Sequence, residues 1–346
     1  MVTMSDLGEK AFLKALLPEL HVAPMFVNGF GHDASIVDVG LEQCLAVKID
    51  RAAFPVALKH GIGDYRTWGR LAVAANVSDL LAVGAVPRAL MLSLVVPGTF
   101  EASDARAIVK GCEEACAWHD IAFVGGDTKE GDAAQVIGSA WGTVEKKFAF
   151  GRAAAKPGDR LFIAGRLGAF AGVLALLELV SAQEQNVPDE WQEILTIPMA
   201  RLHEGKYLRK SRMVAAACDL SDGLADALHI FCADGAGITI AETSLPLHQL
   251  ASEASVKTGV PLWRFAFGVG DWSIALVVHD QDVKAFKRAI TGKLELFEIG
   301  QFNNTGRKII RDACGADIEV PDLINEQFRR RLEDNGSYLK DLMYRS

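Results

Sequence analysis

Short apolar runs alternate with longer helical patterns along most of the chain. "CLAVKID" (44–50), "ALMLSLVVP" (89–97), "IAFVGG" (121–126) and "AQVIGSAWGTV" (134–144) are Val- or Ile-bearing and end at Gly, Pro, Asp or Val, which predicts strands. "TWGRLAVAANVSDLLAVGA" (67–85) predicts a helix that stops at Gly84. "SDARAIVKGCEEACAWH" (103–119) predicts another, with Ser103 as N-cap and Asp104 in the first turn. "AAAKPGDRLFIAG" (153–165) is a turn followed by a new strand, and a domain boundary is expected near 155. Beyond it, "FAGVLALLELVS", "LHEGKYLRK" and "DVKAFKRAIT" read as helices, and "AGITIAET", "WSIALVVHD" and "ELFEIG" as strands. The fold class is therefore α/β followed by α+β, with domains expected at 1–155 and 156–325 and a charged tail at 326–346.

Composition narrows the partners. The net charge of −8 argues against nucleic-acid and anionic membrane surfaces, though not against phosphate held through metal ions and backbone amides. No apolar run is long enough for a membrane helix, and the N-terminus lacks a signal-peptide pattern, so a cytoplasmic protein is expected. The six cysteines are scattered in apolar contexts and read as buried thiols. Cys112, Cys116 and His119 have helical spacing that could hold zinc, but a fourth ligand is missing.

Acidic residues recur where apolar elements end. Asp33 follows a Gly-rich turn in "GFGHDAS", and Asp50 closes the strand "AVKID". Asn76 and Asp79 lie three apart on one helix face, Asp127 follows two glycines in "FVGGDTKEG", and "CDLSDGL" supplies Asp219 and Asp222. Each has a plain role as a turn residue, cap or solvated acid. Asp79 fits that role least, because a carboxylate in an Ala/Leu/Val-rich helix needs a partner. Asp226, one turn beyond Asp222, reads as a supporting or surface residue. Convergent carboxylates repel one another without cations, and hard cations such as Mg²⁺ bind through carboxylates plus substrate phosphates. ATP with Mg²⁺ is the natural ligand of such a set.

These segments, in this order, resemble the superfamily of thiamine-monophosphate kinase and aminoimidazole-ribonucleotide synthetase, which also holds selenophosphate synthetase and a hydrogenase-maturation enzyme. "LGEKAFLKAL", "GHDASIV", "ANVSDLLAVGAVPRALMLSLVVP", "FVGGDT", "GRAAAKPGDRLFIAGRLG" and "DLSDGLADALHI" carry the resemblance, which is closest to thiamine-monophosphate kinase. It implies a two-domain aminoimidazole-ribonucleotide-synthetase-like fold, with N-terminal sheets forming a homodimer interface. It implies ATP and Mg²⁺ as cofactors, with Asp33, Asp50, Asp79, Asp127, Asp219 and Asp222 as metal ligands. Gly126, Asp127, Arg152 and Ser221 match ATP-contacting positions.

The departures fall on the acceptor side. His32 replaces the first of two adjacent acids, and Lys48 and Ile49 replace a hydroxyl pair, which implies fewer metal ions. A substrate histidine falls near Ala57, a substrate glutamate aligns with Gly270 beside a retained Asp271, and a C-terminal Gly-Trp-Asp-His-Phe is missing. No cysteine precedes Cys44 or follows Cys314, against selenophosphate synthetase and the hydrogenase-maturation enzyme respectively. The expected function is ATP- and Mg²⁺-dependent phosphoryl transfer to a small, anionic acceptor, with Arg152 and Lys48 as charge stabilisers and with Lys48, His32 and Arg51 favouring the anion. A synthetase that activates a carbonyl or amide oxygen, and a non-catalytic nucleotide-binding protein, are the alternatives. A dinucleotide turn at "AGRLGAFAG" (164–172) is disfavoured by its glycine spacing.

Overall fold

The computed structural model describes residues 3–179, 187–290, 294–321, 323, 339 and 342–343. Two short helices, α1 (Met4–Leu7) and α2 (Glu9–Leu16), open the chain. The first sheet is built from β1 (Ser35–Val37), β2 (Cys44–Ala52), β3 (Val86–Val96), β4 (Ala122–Glu130) and β5 (Gln135–Val144), in the order β1-β2-β5-β3-β4. Only β3 and β4 run parallel, and β4 is an exposed edge. Between these strands come α3 (Val56–Lys59), α4 (Arg66–Ala82) and α5 (Ala102–Trp118). The N-cap of α5 is Glu101 rather than Ser103, so Ser103 lies inside the first turn.

The second sheet has seven strands: β6 (Arg160–Ala164), β7 (Val214–Asp219), β8 (Gly237–Ala241), β9 (Ile274–Val278), β10 (Leu296–Asn303), β11 (Lys308–Arg311) and β12 (Asp317–Glu319). Its order is β12-β11-β8-β10-β6-β9-β7. The helices of this half are α6 (Ala169–Leu179), α7 (Asp189–Thr196), α8 (Leu202–Ser211), α9 (Leu224–Phe231), α10 (Gln249–Thr258) and α11 (Asp280–Ile290). Of these, α7 places Trp191, Ile194 and Leu195 at helical spacing and buries Trp191 and Leu195, whereas α10 carries only a weak apolar period; neither is among the elements predicted from the sequence. The charged tail falls mostly outside the described residues, but Leu339, Leu342 and Met343 are buried in the core of this half.

Helix α4 explains how the two sheets are joined. Residues all around it, from Ala72 to Ala82, are buried, as are Trp68 and Gly69. It packs on β2 and β5 of the first sheet and on β7 of the second. An all-round apolar helix is the kind that sits in a core rather than on a surface. Gly138 on β5 lets it come close, since a Cβ there would lie 2.4 Å from Asn76 Nδ2. Asn76 answers the approach locally by donating to Ala72 O at 2.8 Å.

Candidate functional site

Strand β2 alternates, so Lys48 and Asp50 face α4 while Ile49 and Arg51 face outward. Helix α4 carries Asp79 over Lys48. The C-terminal end of β7 delivers Asp219, and the loop beyond it carries Asp222. Asp33 arrives on a loop pinned by Asn28, which donates to Ala34 O (2.9 Å) and accepts from Ile36 N–H (2.8 Å). Asn28 had no signal in the sequence.

Five of the expected carboxylates converge with two cations among them. Lys48 Nζ lies 2.8 Å from Asp79 Oδ2 and 3.9 Å from Asp50 Oδ2. Arg152 places Nη2 2.8 Å and Nε 3.2 Å from Asp33 Oδ1. Asp33, Asp79 and Asp219 are buried. Burial, then the charge of Asp33 beside it, pushes Asp219 up to about 7. Burial and the Asp219 charge likewise raise Asp79 well above the carboxylate range. Burial raises Asp50, and Asp222 adds to that rise, so these two sense each other. Burial works against the charge of Lys48, but Asp79, Asp50 and Asp219 outweigh it and raise its pKa. Arg152 is likewise held cationic against burial, by Asp33 above all.

The donor set suits a hard divalent ion. Asp33 Oδ2 and Asp219 Oδ2 are buried and accept no hydrogen bond. Such oxygens are costly unless a cation or donor reaches them. Ligand atoms of Asp33, Cys218 and Asp219 all lie within 4.8 Å of one another. Burial raises the Cys218 thiol well above its ordinary value, so its neutral form is favoured.

Asp127 and Gly126 do not join this cluster. In register, Asp50 is opposite Gly138, which is opposite Leu92, which is opposite Gly126. Two strands therefore separate β4 from β2, a span of about 14 Å at the usual strand spacing. Asp127 is in the row of Ser93, Ile137 and Arg51, on the outward face, exposed and 3.8 Å from Lys129 Nζ. Gly126 is required by packing, because a Cβ there would sit 1.8 Å from Leu92 O.

Other expected roles change in the same way. Ser221 has the chemistry of an N-cap for α9, but its hydroxyl donates to Asp219 Oδ1 at 3.2 Å, and Gly223 (φ 91°) is the N-cap. Asp226 is buried and paired with Lys10 of α2, so it ties the N-terminal segment to α9. His32 accepts the Arg152 backbone N–H at Nδ1 (3.1 Å), and burial lowers its pKa. It is a neutral strut for Arg152, not a cation for an acceptor. Arg51 points to the opposite face of the sheet. His119 donates from Nδ1 to Ala115 O (2.7 Å) and accepts the Ala200 N–H at Nε2 (3.1 Å), so neither ring nitrogen is open to zinc.

The glycine turn at 164–172 is also accounted for. Asp271 accepts from Gly168 N–H (2.6 Å) and Phe170 N–H (3.0 Å) at the start of α6. A carboxylate of the chain already holds the amides that a pyrophosphate would need. Burial, partly offset by these bonds, raises Asp271 to about 6.

Arg166, Trp272 and Glu295 lie just beyond the end of the second sheet from which Asp219 projects; there they line a cleft of about 480 Å³ with Arg201, His248 and Gly270. Arg166 is paired with Glu295. Arg201 donates to Asp271 O (3.3 Å), and among the described residues no carboxylate is within ion-pair reach of it. Trp272 has φ 51°, a left-handed backbone that bulky residues seldom adopt.

Comparison with known proteins adds the family. Residues 31–144 match the family described as AIR synthase related protein, N-terminal domain. Thiamine-monophosphate kinase of Bacillus subtilis (strain 168) is 30% identical over 268 residues, 75% of this chain and 80% of that protein. The Pyrococcus abyssi enzyme of the same name is 34% identical over 65% of this chain and 70% of its own length. The chain belongs to the thiamine-monophosphate kinase family. It is an ATP-dependent phosphotransferase of the kinase type. Among solved structures, thiamine monophosphate kinase from Aquifex aeolicus matches with a TM-score of 0.71 at 25% identity, over 90% of this chain and 97% of that one. "AaThiL complexed with AMPPCP and TMP" matches with a TM-score of 0.76 at 25% identity, over 92% and 97%. The hydrogenase maturation protein HypE in complex with ATP shares the fold, with a TM-score of 0.63 at 18% identity. Among the described residues, no helix is long and apolar enough to cross a membrane.

Proposed function

We propose that this chain transfers the γ-phosphoryl group of Mg·ATP to a small anionic acceptor, at an acceptor site altered from that of thiamine-monophosphate kinase. The observation that carries this reading is the convergence of Asp33, Asp50, Asp79, Asp219 and Asp222 around two fixed cations, with two buried carboxylate oxygens left over. Asp33, Asp219, Asp50 and Asp222 would hold Mg²⁺. When bound, the ion neutralises phosphate charge and fixes the nucleotide in line. The chain's own contribution is positional. Arg152 stays cationic at the rim, and its guanidinium fork suits phosphate oxygens. His32 fixes the backbone from which Arg152 projects.

Packing around Gly270 supports the reading of an altered acceptor side. A Cβ on Gly270 (φ 93°) would lie 2.6 Å from the Phe170 ring, so no glutamate fits where the family has one. Arg201 and Trp272 in the adjoining cleft suit an anionic group and a flat ring instead. With ATP and Mg²⁺, thiamine monophosphate should give negligible diphosphate, while some phosphorylated or carboxylated metabolite should stimulate ADP release. Arg201→Gln should raise the KM of that metabolite and leave the KM of ATP alone. Diphosphate formation at a rate typical of a dedicated kinase would sink the altered-site reading.

We also read the outward face of the first sheet as a homodimer interface. Ile49 and Met91 share one row across Ser139, with Trp141 on the same face, and they are 69%, 44% and 37% exposed. Exposed apolar side chains grouped on one sheet face mark an interaction surface. Gly126 and Asp127 lie at its rim and would meet nucleotide through that assembly. Ile49→Arg should halve the mass in sedimentation and weaken nucleotide binding, and Asp127→Asn should weaken nucleotide binding with the mass unchanged. An unchanged mass counts against the dimer. The two-domain division and a cytoplasmic site belong to the same reading, the latter in keeping with six free cysteines.

A further inference from the structure

The acidic centre has two unlike ends. At one end, Asp33 Oδ2 and Asp219 Oδ2 are buried with no donor, and this end is open to an ion. At the other, Asp79 is buried on α4 and already has a cation, Lys48 Nζ at 2.8 Å. The same ammonium lies 3.9 Å from Asp50 Oδ2 and acts on Asp219 across the gap between the sheets. It projects from the inward face of β2, where its cross-strand partner is the small Ala140. Resting on that reading of the metal site, we propose that Lys48 is a fixed, side-chain cation in a position that a divalent ion would otherwise fill. The centre then binds one ion fewer, and it stays assembled before any metal arrives.

Charge and space both favour this assignment. With all five carboxylates ionised, the state that metal binding requires, Lys48 and Arg152 leave three negative charges, against four if Lys48 were neutral. An ion at Asp79 would need to displace the ammonium or share its oxygen, and like charges so close repel strongly. Lys48 also does something a dissociable ion cannot. It ties β2 to α4, and α4 is the helix that both sheets share. Loss of that tie leaves Asp79 buried and unpaired unless a metal takes over.

The test is a count of bound Mn²⁺ by electron paramagnetic resonance, with a non-hydrolysable ATP analogue. The proteins are the wild type, Lys48→Arg and Lys48→Thr; threonine vacates the position and offers an oxygen ligand. Lys48→Thr should bind one more Mn²⁺ per protomer than the wild type, and Lys48→Arg should match the wild type. In EDTA, Lys48→Thr should melt lower than the wild type and regain the difference with Mn²⁺. If Lys48→Thr folds only with metal present, Lys48→Gln prepared in Mn²⁺ should show the same extra ion. Equal counts in all these proteins would overturn the role of Lys48 while leaving the Mg·ATP reading in place. A wild type that binds no Mn²⁺ with the analogue overturns that reading, and this inference with it.

Discussion

Asp219→Asn is expected to abolish turnover and, at pH 8 without metal, to raise the melting temperature. Asp219 sits at the end of β7 with Oδ2 unpartnered and its pKa pushed up to about 7 by burial and by Asp33. A carboxyl whose folded pKa lies above its unfolded value stabilises the fold while it is protonated. That contribution is complete below the unfolded pKa near 4 and is lost as pH rises through about 7. The shift of about three units corresponds to about 4 kcal/mol. Asparagine keeps the shape and cannot ionise, so the metal-free variant should lose much of its pH dependence between about pH 4 and 7. Mg²⁺ needs the ionised form, so Mg²⁺ affinity of the wild type should climb through the same window. Removing this ligand should cost turnover about 100-fold or more, because the Mg²⁺ it would hold is what would neutralise phosphoryl charge. Calorimetry in EDTA against pH, paired with ADP release, checks both halves. A variant whose melting profile runs parallel to the wild type would show that Asp219 is already ionised and satisfied.

Arg152→Met should cost the metal-free protein about 3–5 kcal/mol, because it strips a buried carboxylate of its cation. Asp33 has a fully buried side chain, and both Arg152 bonds fall on the same oxygen, leaving Oδ2 bare. Without the guanidinium, Asp33, Asp219 and Asp79 would share one pocket with only Lys48 for compensation. The drop in melting temperature should be on the order of 10 °C. Saturating Mg²⁺ should recover part of it by binding the folded state alone. Arg152→Lys should recover most of the stability yet still turn over slowly, because an ammonium cannot make the forked contact to phosphate oxygens. Equal melting temperatures for Arg152→Met and wild type in EDTA would mean that the pair contributes no net stability.

Much of the frame was legible from local pattern. The strand predicted at 44–50 is Cys44–Ala52, that at 89–97 is Val86–Val96, and the helix predicted at 67–85 is Arg66–Ala82. Period-two and period-3.6 patterns report burial within a few neighbouring residues, so they survive without knowledge of the rest of the chain. Helix starts were less legible. Ser103 and Ser221 have the right chemistry for caps, but the backbone enters α5 at Glu101 and α9 at Gly223. The turn before α9 needs a glycine, because Gly223 has φ 91° and a Cβ there would lie 3.0 Å from Phe267 O, which a local reading cannot see.

The sequence by itself determined which residue types stand at the ends of which elements: Asp50 closing a strand, Asp79 inside an apolar helix, Asp219 and Asp222 around a turn. It also determined, through the order of its motifs, a resemblance to the family. What each of these residues faces was decided only in three dimensions. Arg152 meets Asp33 from 119 positions away, Asp226 meets Lys10 from 216, and Asp271 caps α6 from 103. Sheet register set Asp127 and Arg51 on the outward face and Lys48 and Asp50 on the inward one. The physical reason is one of range. Propensity and periodicity act over a turn or a pleat, whereas a buried charge is settled by whichever opposite charge the packing of distant elements brings within about 4 Å.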